Sequence, residues 1–150
     1  MLPPDRRIRT GFTLIELLVV IAIIATLAAV VAPSVFRNVS DARHTTARSQ
    51  IEILALALDS YRVDNAAYPT TVEGLQALRT RPAQAVTELI WKGPYLRKEL
   101  PNDPWGRPYV YVSPGVVNSE SYDLYSLGRD GKIGGLEEDA DLTSWGGSVK

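Results

Sequence analysis

The sequence predicts an α+β fold in which one long amino-terminal helix packs on a small antiparallel β-sheet, in the outline of a lollipop, with an acidic loop near the carboxyl terminus. Two observations lead to this prediction. An uncharged apolar run passes directly into an amphipathic helical pattern, and two short runs rich in β-branched and aromatic residues follow much later. The length of 150 residues allows one ordinary domain and an appendage.

The first element is an apolar helix long enough to cross a membrane. The run LLVVIAIIATLAAVVA contains no charge, and residues 12–32 together give 21 residues, close to the roughly 20 that span a hydrocarbon core. Glu16 is the only charged residue in this segment. The preceding stretch carries three arginines and one aspartate, which predicts a cytoplasmic amino terminus and a remainder outside the cytoplasm.

The same helix is predicted to continue into a soluble domain. Pro33 removes one helical hydrogen bond, so we expect a kink or local melting there. Beyond it, apolar residues recur at intervals of four, three, four and three, which is typical of one buried helix face. This face consists of Ala47, Ile51, Leu54, Leu58 and Tyr61. The pattern ends near Asp64 and Asn65, where the helix should stop.

The carboxy-terminal half predicts smaller elements that cover this face. Thr70 and Glu73 have the spacing of a capping box, which favours a short second helix through Leu78. Residues 89–108 are rich in proline and glycine and should form a loop. Residues 109–112 and 122–126 are predicted as two short strands, separated by a Pro-Gly turn.

Composition excludes several classes of function. The net charge of −1 and the lack of a basic run argue against a nucleic-acid partner. The chain has no cysteine, which excludes a disulfide or a thiolate site, and it has one histidine, His44, in a polar helical stretch where we expect a solvated side chain. It also lacks a GxxxxGK[ST] phosphate-binding motif. No constellation of residues indicates an enzyme.

The residues around the start of the apolar run form a motif that a simple membrane anchor would not require. A secretory signal would also begin with basic residues, but its apolar core is usually only about 7 to 15 residues long. Here Gly11-Phe12-Thr13-Leu14-Ile15-Glu16 places a glycine between the basic leader and the helix, with an acid five residues later. This resembles the type IV prepilin signal. An acid inside a membrane helix is costly and is therefore a functional candidate, although Glu16 could also reach the headgroup region.

The prepilin resemblance implies a fate for each part of the segment. Residues 1–11 would be a leader that a prepilin peptidase removes by cutting after Gly11, and Phe12 would become an N-methylated amino terminus. Glu16 would pair with the terminal ammonium of a neighbouring subunit and set the register of a filament. Residues 12–32 would then be the membrane-spanning and filament-core helix, and residues 33–150 the periplasmic domain.

Three later segments, YPTTVEGLQAL, GPYLRKELPNDPWGRPYVYVSPG and YDLYSLGRDGKIGGLEEDADLTSW, resemble the major pseudopilins, or G subunits, of type II secretion systems. The resemblance covers residues 11–145. It implies a homopolymeric helical filament in the periplasm that drives folded proteins across the outer membrane, with minor pseudopilins and an inner-membrane assembly platform as partners. It also implies a single-pass protein of the bacterial inner membrane. The alternatives are a type IV pilin of a surface fibre and a membrane-tethered calcium-binding module.

The loop of residues 128–141 contains five carboxylates within twelve residues. Calcium prefers six to eight oxygen ligands, but an EF-hand is excluded because Lys132 and Gly134 stand where that loop needs oxygen side chains. Composition alone favours an ordinary solvated loop. The pseudopilin resemblance instead implies calcium, bound by Asp130 and the carbonyl of Leu127. The remaining candidate ligands are Asp139 and Asp141, followed by the weaker Glu137 and Glu138.

Overall fold

The structure is a computed structural model that describes residues 11–83 and 91–149. Its elements, in chain order, are helix α1 (Leu14–Asn65), a 3₁₀ helix (Leu75–Leu78), strands β1 (Val110–Val112) and β2 (Asp123–Ser126), a second 3₁₀ helix (Glu137–Asp139) and strand β3 (Leu142–Thr143). The chain divides into two compact units between Val39 and Ser40. The predicted α+β fold is confirmed. Residues 1–10 of the predicted leader lie outside the described residues.

The first unit contains the amino-terminal part of α1. Among the described residues, α1 is the helix that is long and apolar enough to cross a membrane. Its two hydroxyl groups are satisfied internally, because Thr26 donates to the carbonyl of Ala22 (2.7 Å) and Ser34 donates to that of Val31 (2.8 Å). A helix in hydrocarbon requires this internal pairing. The chain is helical at Pro33 itself, so no melted turn interrupts α1 there.

The second unit is built on the remaining part of α1. The predicted helix face is confirmed, since Ala47, Ile51, Leu54, Leu58 and Tyr61 are all buried. The buried side chains that cover it come from the first 3₁₀ helix, from the strands and from the residues that immediately precede β1 and β2, and they are Ala77, Leu78, Tyr109, Tyr111, Tyr122, Leu124 and Leu142. Burial of this apolar surface is the main stabilising contribution to the domain.

The sheet has three antiparallel strands in the order β1-β2-β3. In the register Tyr111 faces Leu124 across β1 and β2, and Ser126 faces Leu142 across β2 and β3. The two predicted strands are confirmed, each beginning one residue later than expected. Strand β3 was missed because a two-residue strand has no alternating pattern to detect.

The capping box is also confirmed. The N–H of Thr70 donates to Glu73 Oε2 (2.7 Å), and the N–H of Glu73 donates to Thr70 Oγ1 (3.3 Å). The helix itself is a single 3₁₀ turn that ends at Leu78 as predicted but begins only after Gly74, whose φ of +59° is not helical.

The expectation for His44 was wrong. Its side chain is half-buried, and its ring stands edge-to-face against Trp105 at a centroid distance of 5.4 Å. The proline-rich loop before β1 therefore covers this part of α1, and a sequence pattern within the helix could not reveal that contact.

Candidate functional site

The start of α1 carries the residues of the predicted processing and assembly motif. Phe12 is 83% exposed. Thr13 precedes the helix and forms a second capping box with Glu16: the N–H of Thr13 donates to Glu16 Oε2 (3.4 Å), and the N–H of Glu16 donates to Thr13 Oγ1 (3.3 Å). An acid in the first turn is also stabilised by the positive end of the helix dipole. This role was not predicted from the sequence, although the spacing Thr-x-x-Glu indicates it.

The proline-rich loop is anchored by a buried carboxylate. Asp103 is only 4% exposed. Its Oδ1 accepts the N–H groups of Trp105 (3.1 Å) and Arg107 (2.8 Å), and its Oδ2 accepts the hydroxyl of Ser126 (2.6 Å) at the end of β2. Three donors compensate the cost of burying the charge. Asp103 therefore fixes the position of Arg107 relative to the sheet.

Arg107 in turn holds the beginning of the acidic loop. Its Nη1 donates to the carbonyls of Gly128 and Arg129, both at 2.9 Å. Gly131 has a φ of +70°, and a Cβ there would lie 2.7 Å from Arg107 Cζ. A side chain at position 131 would displace the guanidinium, and the positive φ disfavours one as well, so glycine suits this position for two reasons.

A second arginine closes the loop on itself. Arg129 Nε and Nη2 donate to the two oxygens of Asp139 (2.9 and 3.1 Å), and Nη1 donates to Glu138 Oε2 (2.7 Å). Arg43 of α1 approaches the other oxygen of Glu138 at 3.6 Å. The hydrogen bonds that Arg129 donates to Asp139, together with the charges of Asp139 and Glu138, raise the pKa of Arg129 above its ordinary value.

The predicted metal ligands have different environments. Asp130 Oδ1 accepts the N–H of Lys132 (3.0 Å), and the Leu127 carbonyl accepts the N–H of Gly131 (3.2 Å). Asp141 Oδ2 accepts the N–H of Gly134 (2.8 Å), whereas its Oδ1 is buried without a hydrogen-bond partner among the described residues. A buried anionic oxygen left unpaired is unfavourable, and a bound cation would stabilise it.

The arrangement of these oxygens bears on whether the loop could hold calcium. Within residues 11–83 and 91–149, no three acidic or histidine side chains converge at a point that could hold a metal ion. Calcium takes six to eight oxygen ligands and accepts backbone carbonyls among them, so a site in this loop would need the carbonyl of Leu127 and other backbone oxygens beside its carboxylates. The unpaired oxygen of Asp141 is the feature that fits such an ion.

A second buried carboxylate, Asp123, shapes the turn between β1 and β2. Asp123 accepts the N–H groups of Val116 (2.7 Å), Val117 (2.8 Å) and Asn118 (3.0 Å). Burial by itself would raise the pKa of this carboxyl group, but the hydrogen bonds together hold it below its usual value. Neither Asp123 nor Asp103 was predicted from the sequence to have a structural role: the backbone groups that donate to them lie two to seven residues away in irregular turns, and the Ser126 hydroxyl lies 23 residues from Asp103.

Comparison with known proteins identifies the family. A family model described as "Type II secretion system (T2SS), protein G" matches residues 34–145, and a model described as "Prokaryotic N-terminal methylation motif" matches residues 6–32. The chain belongs to the type II secretion system protein G family. The resemblance noted in the sequence is thereby confirmed.

Relatives in the protein G family match over nearly the whole length. The type II secretion system core protein G of Pseudomonas aeruginosa is 46% identical over 141 residues, covering 94% of this chain and 98% of that protein. That of Vibrio cholerae is 42% identical over 139 residues, covering 93% of each. The crystal structure of the major pseudopilin from the type 2 secretion system of enterohaemorrhagic Escherichia coli is 34% identical, with a TM-score of 0.59, and the match covers 72% of this chain and 90% of that one.

Membership of the protein G family confirms the predicted class of function, that of a major pseudopilin in type II protein secretion. The methylation motif and the apolar helix make the chain a membrane-anchored subunit of a pilus-like assembly. The individual roles of Gly11, Phe12, Glu16, Pro33 and the loop carboxylates remain predictions.

Proposed function

We propose that this chain polymerises through α1 into a helical filament in the periplasm, and that extension of the filament drives folded proteins across the outer membrane. The exposed apolar surface of α1 supports the proposal most directly. From Leu14 to Val39 its large apolar side chains are exposed, and the only acidic side chain among them is Glu16. Such a surface suits lipid before assembly and copies of the same helix after it.

The filament is a structural device and not an enzyme. The chain carries no phosphate-binding motif, so the energy for extension must come from a separate nucleotide-hydrolysing component. The subunit would be a single-pass protein of the inner membrane, with its amino terminus cytoplasmic and its second unit periplasmic. Minor pseudopilins, the inner-membrane assembly platform and the prepilin peptidase are its proposed partners.

Glu16 is the proposed register contact. After cleavage behind Gly11, the ammonium of Phe12 in a neighbouring subunit would neutralise the carboxylate and relieve its cost in the membrane. The capping box complicates an alanine substitution, because Glu16→Ala removes both the charge and the cap. Glu16→Gln separates the two effects, since glutamine serves equally well at the third position of a capping box but cannot neutralise an ammonium.

The experiment measures filament formation in cells that express the secretion system. Glu16→Gln and Glu16→Ala should both insert in the membrane and yet fail to assemble, while Glu52→Ala, an exposed acid on the same helix, should assemble normally. Normal filaments from Glu16→Gln would contradict the register role. Long surface fibres at native expression levels would instead favour a pilus. Mass spectrometry of the mature amino terminus should find a methylated phenylalanine at residue 12.

We further propose a calcium ion in the acidic loop, with candidate ligands Asp130, Asp141, Asp139 and the carbonyl of Leu127. The unpaired oxygen of Asp141 supports this. A bound ion would order a loop that has no disulfide to hold it. Thermal unfolding of the soluble second unit should show a higher midpoint with calcium than with a chelator, and equal midpoints would rule the site out.

A further inference from the structure

The acidic loop presents apolar side chains to solvent beside its carboxylates. Ile133 and Leu136 are both exposed, Leu136 to 83%. Glu137 is exposed as well and has a φ of +53°, a conformation that is unfavourable for a residue with a side chain. Glu138 and Asp139 are paired within the loop, but Glu137 forms no ion pair among the described residues. Residues 136 and 137 thus form an exposed tip with one apolar and one acidic side chain.

A cleft of about 810 Å³ lies at the carboxyl-terminal end of α1. Aromatic and apolar side chains form much of its wall, among them Tyr61, Tyr68 and the 94% exposed Val72. Asn65 also lines the cleft, and its Nδ2 donates to the carbonyl of Tyr61 (2.9 Å), whereas its Oδ1 is buried without a hydrogen-bond partner among the described residues. The cleft therefore suits an apolar side chain that arrives together with a hydrogen-bond donor.

The tip and the cleft carry complementary charges. The charged side chains in the wall of the cleft are Arg81 and Glu73. The carboxylate of Glu73 is committed to the capping box, where its Oε2 accepts the N–H and the hydroxyl of Thr70 (2.7 and 3.0 Å). Arg81 is exposed, so its positive charge is available to an incoming acid. Glu137 at the tip of the acidic loop is such an acid.

The tip and the cleft lie at opposite ends of the second unit. The acidic loop is held near the beginning of that unit, where Arg43 approaches Glu138 at 3.6 Å. Tyr61 of the cleft lies about 27 Å further along α1, at roughly 1.5 Å per helical residue. The loop of one chain therefore does not reach its own cleft, and a contact between the two surfaces joins two copies.

We propose that residues 136 and 137 of one subunit dock in the cleft of another copy, with Leu136 against Tyr68 and Val72 and with Glu137 beside Arg81. This inference rests on the proposed filament and adds a contact between soluble domains to the contact between helices. Two different surfaces of the same chain meet in it. Such a heterologous contact repeats from copy to copy instead of closing into a dimer, so it suits an open helical filament.

The first test is cross-linking between introduced cysteines, because the chain has none of its own. A full-length variant with both Leu136→Cys and Val72→Cys is expressed with the secretion system and treated with a short bis-maleimide. Each subunit then has one thiol on either surface, so the reagent should link three or more copies in a ladder. Each substitution alone should give no multimers. Leu136→Cys combined with Leu56→Cys, at an exposed position outside the cleft, is the matched control and should also give none.

The outcomes separate this contact from the filament itself. If the wild type forms no filaments, the proposed function and the contact both fail. If filaments form but the double variant gives no ladder, the contact alone is refuted. A different protein linked to the Val72→Cys variant would assign the cleft to that partner and would also overturn the proposal.

The second test exchanges the charges of the contact. Glu137→Arg and Arg81→Glu should each lower the yield of filaments, counted by electron microscopy, at least about tenfold, because like charges then face each other. The double exchange should restore most of the yield, which it would not do if either substitution had damaged the fold or a metal site. Glu120→Arg, at an exposed acid outside the cleft, should assemble as the wild type does. Wild-type yields from both single variants, or no recovery in the double variant, would overturn the proposal.

Discussion

Replacing Asp103 should destabilise the second unit and release the acidic loop. The Asp103→Ala variant leaves three donors without their acceptor, namely the N–H groups of Trp105 and Arg107 and the hydroxyl of Ser126. It also removes one of the two hydrogen bonds between residue 103 and the backbone of Arg107, whose guanidinium donates to the carbonyls of Gly128 and Arg129. A substitution in the proline-rich loop is therefore expected to loosen the acidic loop, more than twenty residues later in the chain.

The expected loss follows from these contacts. A hydrogen bond to a charged group contributes about 1.5 to 3 kcal/mol, and a buried donor left unpaired costs a similar amount. Water can reach part of the loop, so we expect a total of about 3 to 5 kcal/mol, a large share of the stability of a domain. Asp103→Asn is the matched control. Its oxygen can still accept both N–H groups, so we expect a loss of about 1 to 2 kcal/mol.

Urea unfolding of residues 40–150, followed by circular dichroism, measures both variants. With a typical slope of about 1 to 3 kcal/mol per molar, Asp103→Ala should lower the midpoint by about 2 M. Glutamate-specific proteolysis of the folded protein should also be faster in this variant. A loss below about 1 kcal/mol, or equal losses for alanine and asparagine, would show that Asp103 does not anchor the loop.

Three further predictions concern the core and the pH dependence of stability. Leu58→Ala, at a fully buried position, should cost about 2 to 5 kcal/mol in urea unfolding, while Leu56→Ala, at a 66% exposed one, should change little. Burial raises the pKa of Tyr61 to about 12, so urea midpoints should fall between pH 10 and 12 as the unfolded chain ionises first; a Tyr61→Phe variant that declines equally would argue against this. The lowered pKa of Asp123 predicts stability that falls on acidification below its usual value, and Asp123→Asn should flatten that fall.

Residue spacings in the sequence correctly predicted those elements that are determined by residues close together in the chain. The end of α1 at Asn65, its buried face and the capping box at Thr70 were all predictable, because each follows from spacings of three or four residues. The same local rule shows a capping box at Thr13 that the sequence analysis overlooked. Strand β3 is the opposite case, since it exists only because β2 offers it a partner.

The acidic loop shows the limit of such patterns. Its composition indicated a cluster of carboxylates and a possible cation, but it could not distinguish Asp139 from Asp141. The two lie two residues apart and have the same side chain. They differ because Asp139 pairs with Arg129, ten residues earlier in the chain, whereas one oxygen of Asp141 is buried without a partner among the described residues. Both features depend on how the loop folds back.

The sequence by itself determined that this chain is a pilin-like subunit with a membrane helix, because membrane insertion and processing depend on a contiguous stretch of residues and its flanking charges. Only the tertiary structure determines which polar groups stabilise the soluble domain. The hydroxyl of Ser126 lies 23 residues from Asp103, and the carbonyls that accept from Arg107 lie 21 and 22 residues from it, so these contacts form only in the folded chain. A buried charge is stable only where the fold brings several donors or acceptors to it, and no sequence spacing specifies that encounter.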